Sequence, residues 1–314
     1  MKINLLLKVK SGWKLEDGIS QSLLATWLTC REKAKLTYQD LWTSQQVSNA
    51  ITFGSLFHSA LESFYKTGKY DIKTLLQNQR KETEEQRIWT IEDQENQVLN
   101  EGYLGILVPG YISHYRDIDK NKKWFCVEKE FCNTWNGIKL RGKYDRAYKT
   151  SGTGIKSEIW MLDTKTKSRI DPNIQERLGF DLQVMFYILN YWLEFQTVPN
   201  GFIYDQIKRP ALRKGSQETM KHFMDRVKED VDKDYFQRIR IPITEKYLKD
   251  WVATQFSPMI KEFKTWAEGG GGHYKNPAAC ATPYGVCGLV RVCGNKDYNG
   301  LFQRKRVFNE LEKI

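Results

Sequence analysis

Leu140-Arg-Gly-Lys-Tyr-Asp145, Ile159-Trp-Met-Leu-Asp163-Thr-Lys165-Thr and Gln183-Val-Met-Phe-Tyr187 are the three segments whose reading decides the fold. An acid closes the first apolar run, and an acid and a lysine two residues apart close the second. Residues i and i+2 of a strand share a face, so Asp163 and Lys165 point the same way. In the run before, Ile138, Leu140, Gly142 and Tyr144 alternate with Lys139, Arg141, Lys143 and Asp145, which sets Asp145 on the polar face. The segment from Thr150 to Gly154 reads as a reversal between antiparallel strands. Two carboxylates and a lysine thus meet at the end of one small sheet. That is the equipment for holding a hard divalent cation beside a phosphodiester.

Taken in order, Gly142-x-x-Asp145, Asp163-x-Lys165-Thr and Gln183-x-x-x-Tyr187 resemble the motifs of the PD-(D/E)XK nuclease superfamily. More narrowly they resemble its RecB-like branch, which includes CRISPR adaptation nucleases and many phage exonucleases. Asp-x-Lys alone occurs by chance in many strands; the ordered set in a strand, turn, strand, helix context is far more specific. Upstream, Gly54-x-x-x-His58-x-x-x-Glu62 is similar to the metal-binding histidine motif of the same branch. The resemblance implies an α/β, restriction-endonuclease-like core of α-β-β-β-α-β order, a mixed sheet flanked by helices. It implies that Asp145, Asp163 and His58, with the backbone carbonyl of Thr164, bind Mg²⁺ or Mn²⁺. Lys165 would orient or deprotonate the attacking water or stabilise the phosphate oxyanion, and Gln183 and Tyr187 would position the substrate. Glu62 is expected to orient the His58 ring.

At 314 residues the chain can bury a sizeable core, and 13% aromatic residues, ten of them Trp, argue for a folded protein. Lys and Arg exceed Asp and Glu, 49 against 38, a balance that suits a phosphate-backbone partner without distinguishing DNA, RNA or an anionic membrane. No apolar run approaches a membrane span, and Met1 to Leu7, followed by Lys8 and Lys10, is too short and too charged for a signal peptide. The expected location is cytoplasmic, in a bacterial or phage-infected cell. The expected partner is DNA, and the resemblance adds recombination or CRISPR adaptation proteins.

The rest of the chain reads as additions to one nuclease domain, residues 1–314, with its core at about 50–210. Leu15 to Tyr38 is helical, with Leu23, Leu24, Trp27 and Leu28 as its apolar stripe. Residues 71–117 form a charged helical insertion with a break near Val108-Pro109-Gly110. Strands resume at Trp124, where Cys126 and Cys132 read as packing residues and Glu128 and Glu130 as an exposed face, with a place next to the metal site as the alternative. Lys208, Arg209, Arg213 and Lys214 form a basic cluster suited to phosphate contacts. Residues 216–234 and 244–267 are further helices around a short strand at Phe236, before a glycine-rich break at 269–272.

Cys280, Cys287 and Cys293 leave a tetrahedral site one ligand short, and Cys30 is the candidate for the fourth. One N-terminal and three C-terminal cysteines resemble the iron–sulfur staple of AddB-type and CRISPR-associated RecB-like nucleases. The spacing departs from the commonest one, and Arg31 stands where Pro often follows the first cysteine. Four thiolates suit a 4Fe-4S cluster or Zn²⁺. Such a tie would pack the C-terminal segment, about 216–314, back on Cys30. The function expected is a metal-dependent DNA exonuclease in repair, recombination or phage DNA processing. A non-catalytic DNA-binding subunit on the same fold, or an endonuclease, are the alternatives.

Overall fold

Asn136 and Gly137 carry φ of 47° and 78°, the left-handed pair that a two-residue hairpin turn requires and that Asn-Gly supplies at low cost. In the computed structural model of the chain they join strand β1 (Lys122–Trp135) to β2 (Ile138–Thr150). The structure describes residues 12–44, 48–85, 87–150, 157–171, 173–282, 285–304, 306–308 and 311. The reversal expected after Thr150 falls at 151–156, outside these residues. By internal contacts the chain divides into two compact units. One comprises residues 1–46, 130–142 and 250–314, the other 47–129 and 143–249.

The second unit is built on a mixed sheet. β3 (Ile159–Lys167) runs antiparallel to β2, with Leu162 opposite Arg146. β4 (Gly201–Lys208) lies parallel to β3, with Asp163 opposite Tyr204 and Thr164 opposite Asp205. β5 (Phe236–Pro242) closes antiparallel on β4 as the edge strand that its proline permits. Helices α1 (Asn49–Thr67), α2 (Ile72–Glu84) and α3 (Ile91–Asp119) precede the sheet. The short α4 (Ile174–Leu178) and α5 (Leu182–Phe195) lie between β3 and β4, and α6 (Met220–Asp230) follows β4. The sequence α1, β1, β2, β3, α5, β4 is the α-β-β-β-α-β order expected from the motifs.

Phe53, Phe57 and Leu61 of α1 bury against Tyr103, Leu107, Val108 and Tyr111 of α3 in one apolar core. α3 runs unbroken through Pro109, contrary to the expected break. Val108 and Tyr111 on either side of the proline are fully buried, so packing overrides the missing N–H. α5 starts where the Asp181 carboxylate accepts the Gln183 and Val184 amides at 2.8 and 3.1 Å, an N-cap that fixes which residues of the helix face the sheet.

In the first unit, Ser20 caps a helix at Gln21–Thr29, and Trp13 and Trp27 pack on Phe263 and Trp266 of the helix at Ser257–Ala267. The single helix expected over 15–38 is interrupted at Cys30, whose extended backbone (φ −163°) separates Gln21–Thr29 from Arg31–Ala34. No helix among the described residues is long and apolar enough to cross a membrane.

Candidate active site

Two strands lose their alternation at the same place. Tyr144 of β2 packs on Tyr187 and Tyr191 of α5. Arg146, two residues on, lies instead against Tyr65 of α1 and Tyr111 of α3. Residues i and i+2 therefore face opposite sides of the sheet, with Asp145 at the switch. In β1, Cys126 and Phe131 are the buried positions, an odd separation that alternation cannot give. Glu128 between them has φ of 47°. This is the pattern of a β-bulge, which re-aims a side chain. The exposed face expected for Glu128 is accordingly absent: its side chain is only 8% exposed and turns towards His58.

His58 of α1 is the centre of the cluster. Its Nε2 lies 2.7 Å from the Thr164 carbonyl oxygen. A carbonyl only accepts, so Nε2 carries the proton when the ring is neutral, leaving the Nδ1 lone pair directed at the carboxylates. Nδ1 stands 3.3 Å from Asp145 Oδ2 and 4.0 Å from Glu128 Oε1. The ligand atoms of His58, Glu128 and Asp145 all lie within 4.8 Å of one another. Donors about 2.1 Å from an octahedral ion are about 3 Å apart in cis and 4.2 Å in trans. One imidazole and two carboxylates at this spacing fit Mg²⁺ or Mn²⁺, and the imidazole tilts the choice towards Mn²⁺. Thr164 completes the frame, its amide donating to Asp145 Oδ2 at 3.0 Å.

Asp163 and Lys165 lie beside this group, as the i, i+2 spacing requires. The Lys165 ammonium is 2.8 Å from Asp163 Oδ2, and the Gln183 amide donates to Asp163 Oδ1 at 3.2 Å. Gln183 also reaches the Tyr187 hydroxyl at 3.2 Å, one helical turn on. Burial pushes Asp163 up to about 7 against the pull of Lys165, with Asp145 adding to the rise. Burial opposes the charge on Lys165, but Asp163 and Asp145 outweigh it and hold the ammonium well above its ordinary value. Burial, with Asp163 and Asp145, also raises Tyr187, which stays a neutral donor. At His58 burial works against the charged ring, yet Asp145 and Glu128 raise its pKa. Burial likewise raises the Glu128 carboxyl, but His58 and Lys143 more than offset it and hold it low. Lys143 pairs with Glu128 at 2.6 Å.

An imidazole, three acids and a lysine converge where α5 points the Gln183 amide at them, a donor set that could serve a metal-assisted hydrolysis. The chain matches the model of the PD-(D/E)XK nuclease superfamily over residues 18–294. It belongs to that superfamily. No curated protein matches the sequence. Among solved structures the chain is similar to a protein from Eubacterium rectale that carries the provisional name exonuclease. The two share 12% identity over 87% of this chain and 89% of that one, with a TM-score of 0.46. As a PD-(D/E)XK nuclease, the chain has its motif residues His58, Asp145, Asp163, Thr164, Lys165, Gln183 and Tyr187 gathered in one place.

Other expected residues are placed differently. Glu62 pairs with Lys66 at 2.5 Å, and it is the Thr164 carbonyl that bonds the His58 ring. Cys126 is buried as expected, whereas Cys132 is exposed, because the bulge at Glu128 shifts the strand's phase between them. In the basic cluster, the Lys208 ammonium sits 4.4 Å over the Tyr235 ring, and Lys214 donates to the carbonyls of Gly215 and Glu218 at 3.2 and 2.6 Å. Glu128 is the site residue that sequence reasoning set aside, preferring an exposed strand face to a place next to the metal site. Counted back across the two-residue Asn136-Gly137 turn, Glu128 falls opposite Asp145, and two acids facing each other across a hairpin were the available signal.

In the first unit Cys30, Cys280, Cys287 and Cys293 line one small pocket with Lys33, Lys275 and Leu36 among its walls. The Asn276 amide points at Cys30 Sγ from 3.4 Å, and the Cys287 amide donates to the Cys280 carbonyl at 2.8 Å. Among the described residues only His58, Glu128 and Asp145 form a trio of such ligands within 4.8 Å, so no three thiols are that close. A zinc ion with Zn–S bonds of about 2.3 Å holds its sulfurs about 3.8 Å apart.

Proposed function

We propose that this PD-(D/E)XK protein is a Mg²⁺- or Mn²⁺-dependent deoxyribonuclease of the RecB-like type. It hydrolyses DNA from an end, in repair, recombination or phage DNA processing. The observation that carries the reading is the convergence of His58, Glu128 and Asp145 beside the Asp163–Lys165–Gln183 set. Nδ1 of His58 and the carboxylates of Glu128, Asp145 and Asp163 hold the ion, and the second lone pair of the Thr164 carbonyl is available to it. When bound, the ion lowers the pKa of a coordinated water and neutralises charge on the reacting phosphate. Lys165, kept protonated by Asp163, donates to the phosphate oxyanion or orients the attacking water instead of acting as a base. Gln183 fixes the Asp163 carboxylate, and the neutral Tyr187 hydroxyl donates towards the substrate. Lys208, Arg209 and Arg213 attract the DNA backbone, with Lys214 turned to its own loop.

The cysteine cavity supports a second, structural group. The donor set is four thiols, no three of which lie within 4.8 Å of one another, and this favours 4Fe-4S, in which each thiolate binds a separate iron, over Zn²⁺. Lys33 and Lys275 offset thiolate charge there.

The test is degradation of end-labelled linear DNA by wild type and Asp163→Ala, with Mg²⁺, Mn²⁺ or EDTA. Metal-dependent loss of label that vanishes in the variant, while DNA binding persists, is the expected result. Closed circular DNA that stays intact fits an exonuclease, and nicking of the circle would replace that with an endonuclease. Binding without cleavage under every metal would leave a non-catalytic DNA-binding subunit.

A further inference from the structure

Phe180 presents 79% of its surface to solvent at the entrance to α5, three residues before Gln183. Its backbone is not loose. The Phe180 amide donates to the Arg177 carbonyl at 3.0 Å and the Asp181 amide to the Leu178 carbonyl at 3.2 Å. The Tyr247 hydroxyl donates to the Gly179 carbonyl at 2.7 Å, and Asp181 caps α5. A rigid turn therefore holds a bare aromatic ring out from the helix that also delivers Gln183 to Asp163.

Two cations lie near that turn, Arg177 within it and Lys167 on β3. Lys167 shares the catalytic face of β3 with Lys165, about 6.6 Å further along the strand. Among the described residues no carboxylate lies within ion-pair distance of the Lys167 ammonium, which instead stands 6.0 Å from the Tyr204 ring. Arg177, Asp181, Asp163 and Lys165 are all within electrostatic reach of it. Of the three acids from 171 to 181, Asp171 pairs with Arg177 at 2.7 Å, Asp181 is committed to its cap and Glu176 is exposed on α4. An exposed ring whose flanking residues Arg177 and Asp181 are within electrostatic reach of a cation without a carboxylate partner, close in sequence to the Asp163–Gln183 contact, is a combination suited to single-stranded nucleic acid.

We propose that Phe180 is a stacking site for an unpaired base, with Lys167 taking a neighbouring backbone phosphate. The substrate class is then DNA whose strand is unpaired at the scissile end. In a duplex both faces of a base are covered by its neighbours, so the ring has nothing to stack on; a single strand offers a π-face at every nucleotide. The inference rests on the nuclease reading above and adds strand preference to it.

Binding of a labelled short single strand and of a blunt duplex, measured by fluorescence polarisation in EDTA to block hydrolysis, tests it. Phe180→Ala is expected to weaken single-strand binding about 5- to 150-fold and leave duplex binding within about twofold, while Phe180→Trp keeps both. Lys167→Ala should reduce the slope of log K against log salt for the single strand by about 0.7, one phosphate contact. Single-strand affinity unchanged in Phe180→Ala, or an equal loss for strand and duplex, would overturn the stacking site alone. Wild type that binds neither nucleic acid would overturn the nuclease reading and this inference with it.

Discussion

Glu128 holds a left-handed backbone that costs a residue with a Cβ about 1–2 kcal/mol. The conformation turns its carboxylate off the strand's exposed face and into contact with His58 and Lys143. Strain of this kind persists where the surroundings fix it, and here they are His58 and Lys143, the first a candidate metal ligand. Glu128→Gln preserves the shape and removes the charge. Mn²⁺ affinity, read by electron paramagnetic resonance or calorimetry, should fall about 10- to 100-fold with little change in melting temperature. Unchanged affinity would remove Glu128 from the donor set. The same residue marks a limit of reading by alternation. Asp163 and Lys165 were legible because i and i+2 share a face in a regular strand. Glu128 was not, because a bulge inverts the faces on either side of it and leaves no trace in a hydrophobic pattern.

At the scale of elements, the face of the sheet away from Asp163 is lashed by buried charges. Arg146 of β2 donates to the Thr164 hydroxyl of β3, to Asp205 of β4 at 3.1 Å and to Tyr111 of α3 at 3.2 Å. Arg238 of β5 joins Tyr111 at 2.7 Å and grips Asp119 at the end of α3 with bonds of 2.6 and 3.1 Å. Thr164 thus has its side chain in this network and its amide and carbonyl in the active site. Burial raises the Asp119 carboxyl, but Arg238 and Lys122 outweigh it and hold its pKa below the ordinary value. A depressed carboxyl contributes stability above its unfolded pKa of about 3.9 and loses it as pH falls through the folded value. Asp119→Asn should therefore unfold at lower denaturant than wild type at pH 7, by about 3 kcal/mol, and the gap should close below about pH 4. A gap independent of pH would mean that the carboxylate's charge is not what binds α3 to β5. None of this network was apparent in the sequence, where Arg146 and Asp205 are ordinary charges. The element order itself was legible, since α1, β1 to β3, α5 and β4 each carry their own periodicity. Pro109 misled because its cost is local and the packing of Val108 and Tyr111 is not.

For the molecule as a whole, the candidate site residues belong to the second unit and the four cysteines that share a pocket to the first. Cys30 and Cys280 are some 250 residues apart in the chain, yet they line one cavity. Bringing those cysteines together by counting ligands required no knowledge of the path between them, which is why this long-range contact was legible. A cluster bound by all four closes a loop of that length, and the entropy removed from the unfolded chain corresponds to about 5 kcal/mol on the scale used for disulfides. Cys287→Ser should lower melting temperature and bound metal together, and iron with inorganic sulfide in the wild type would identify the cluster. Zinc at one equivalent with the same stability loss would keep the tie and change its metal. An unchanged melting temperature with neither metal in the wild type would return the four thiols to the role of packing residues. In that case Lys33 and Lys275 would face the cavity without thiolate charge to answer.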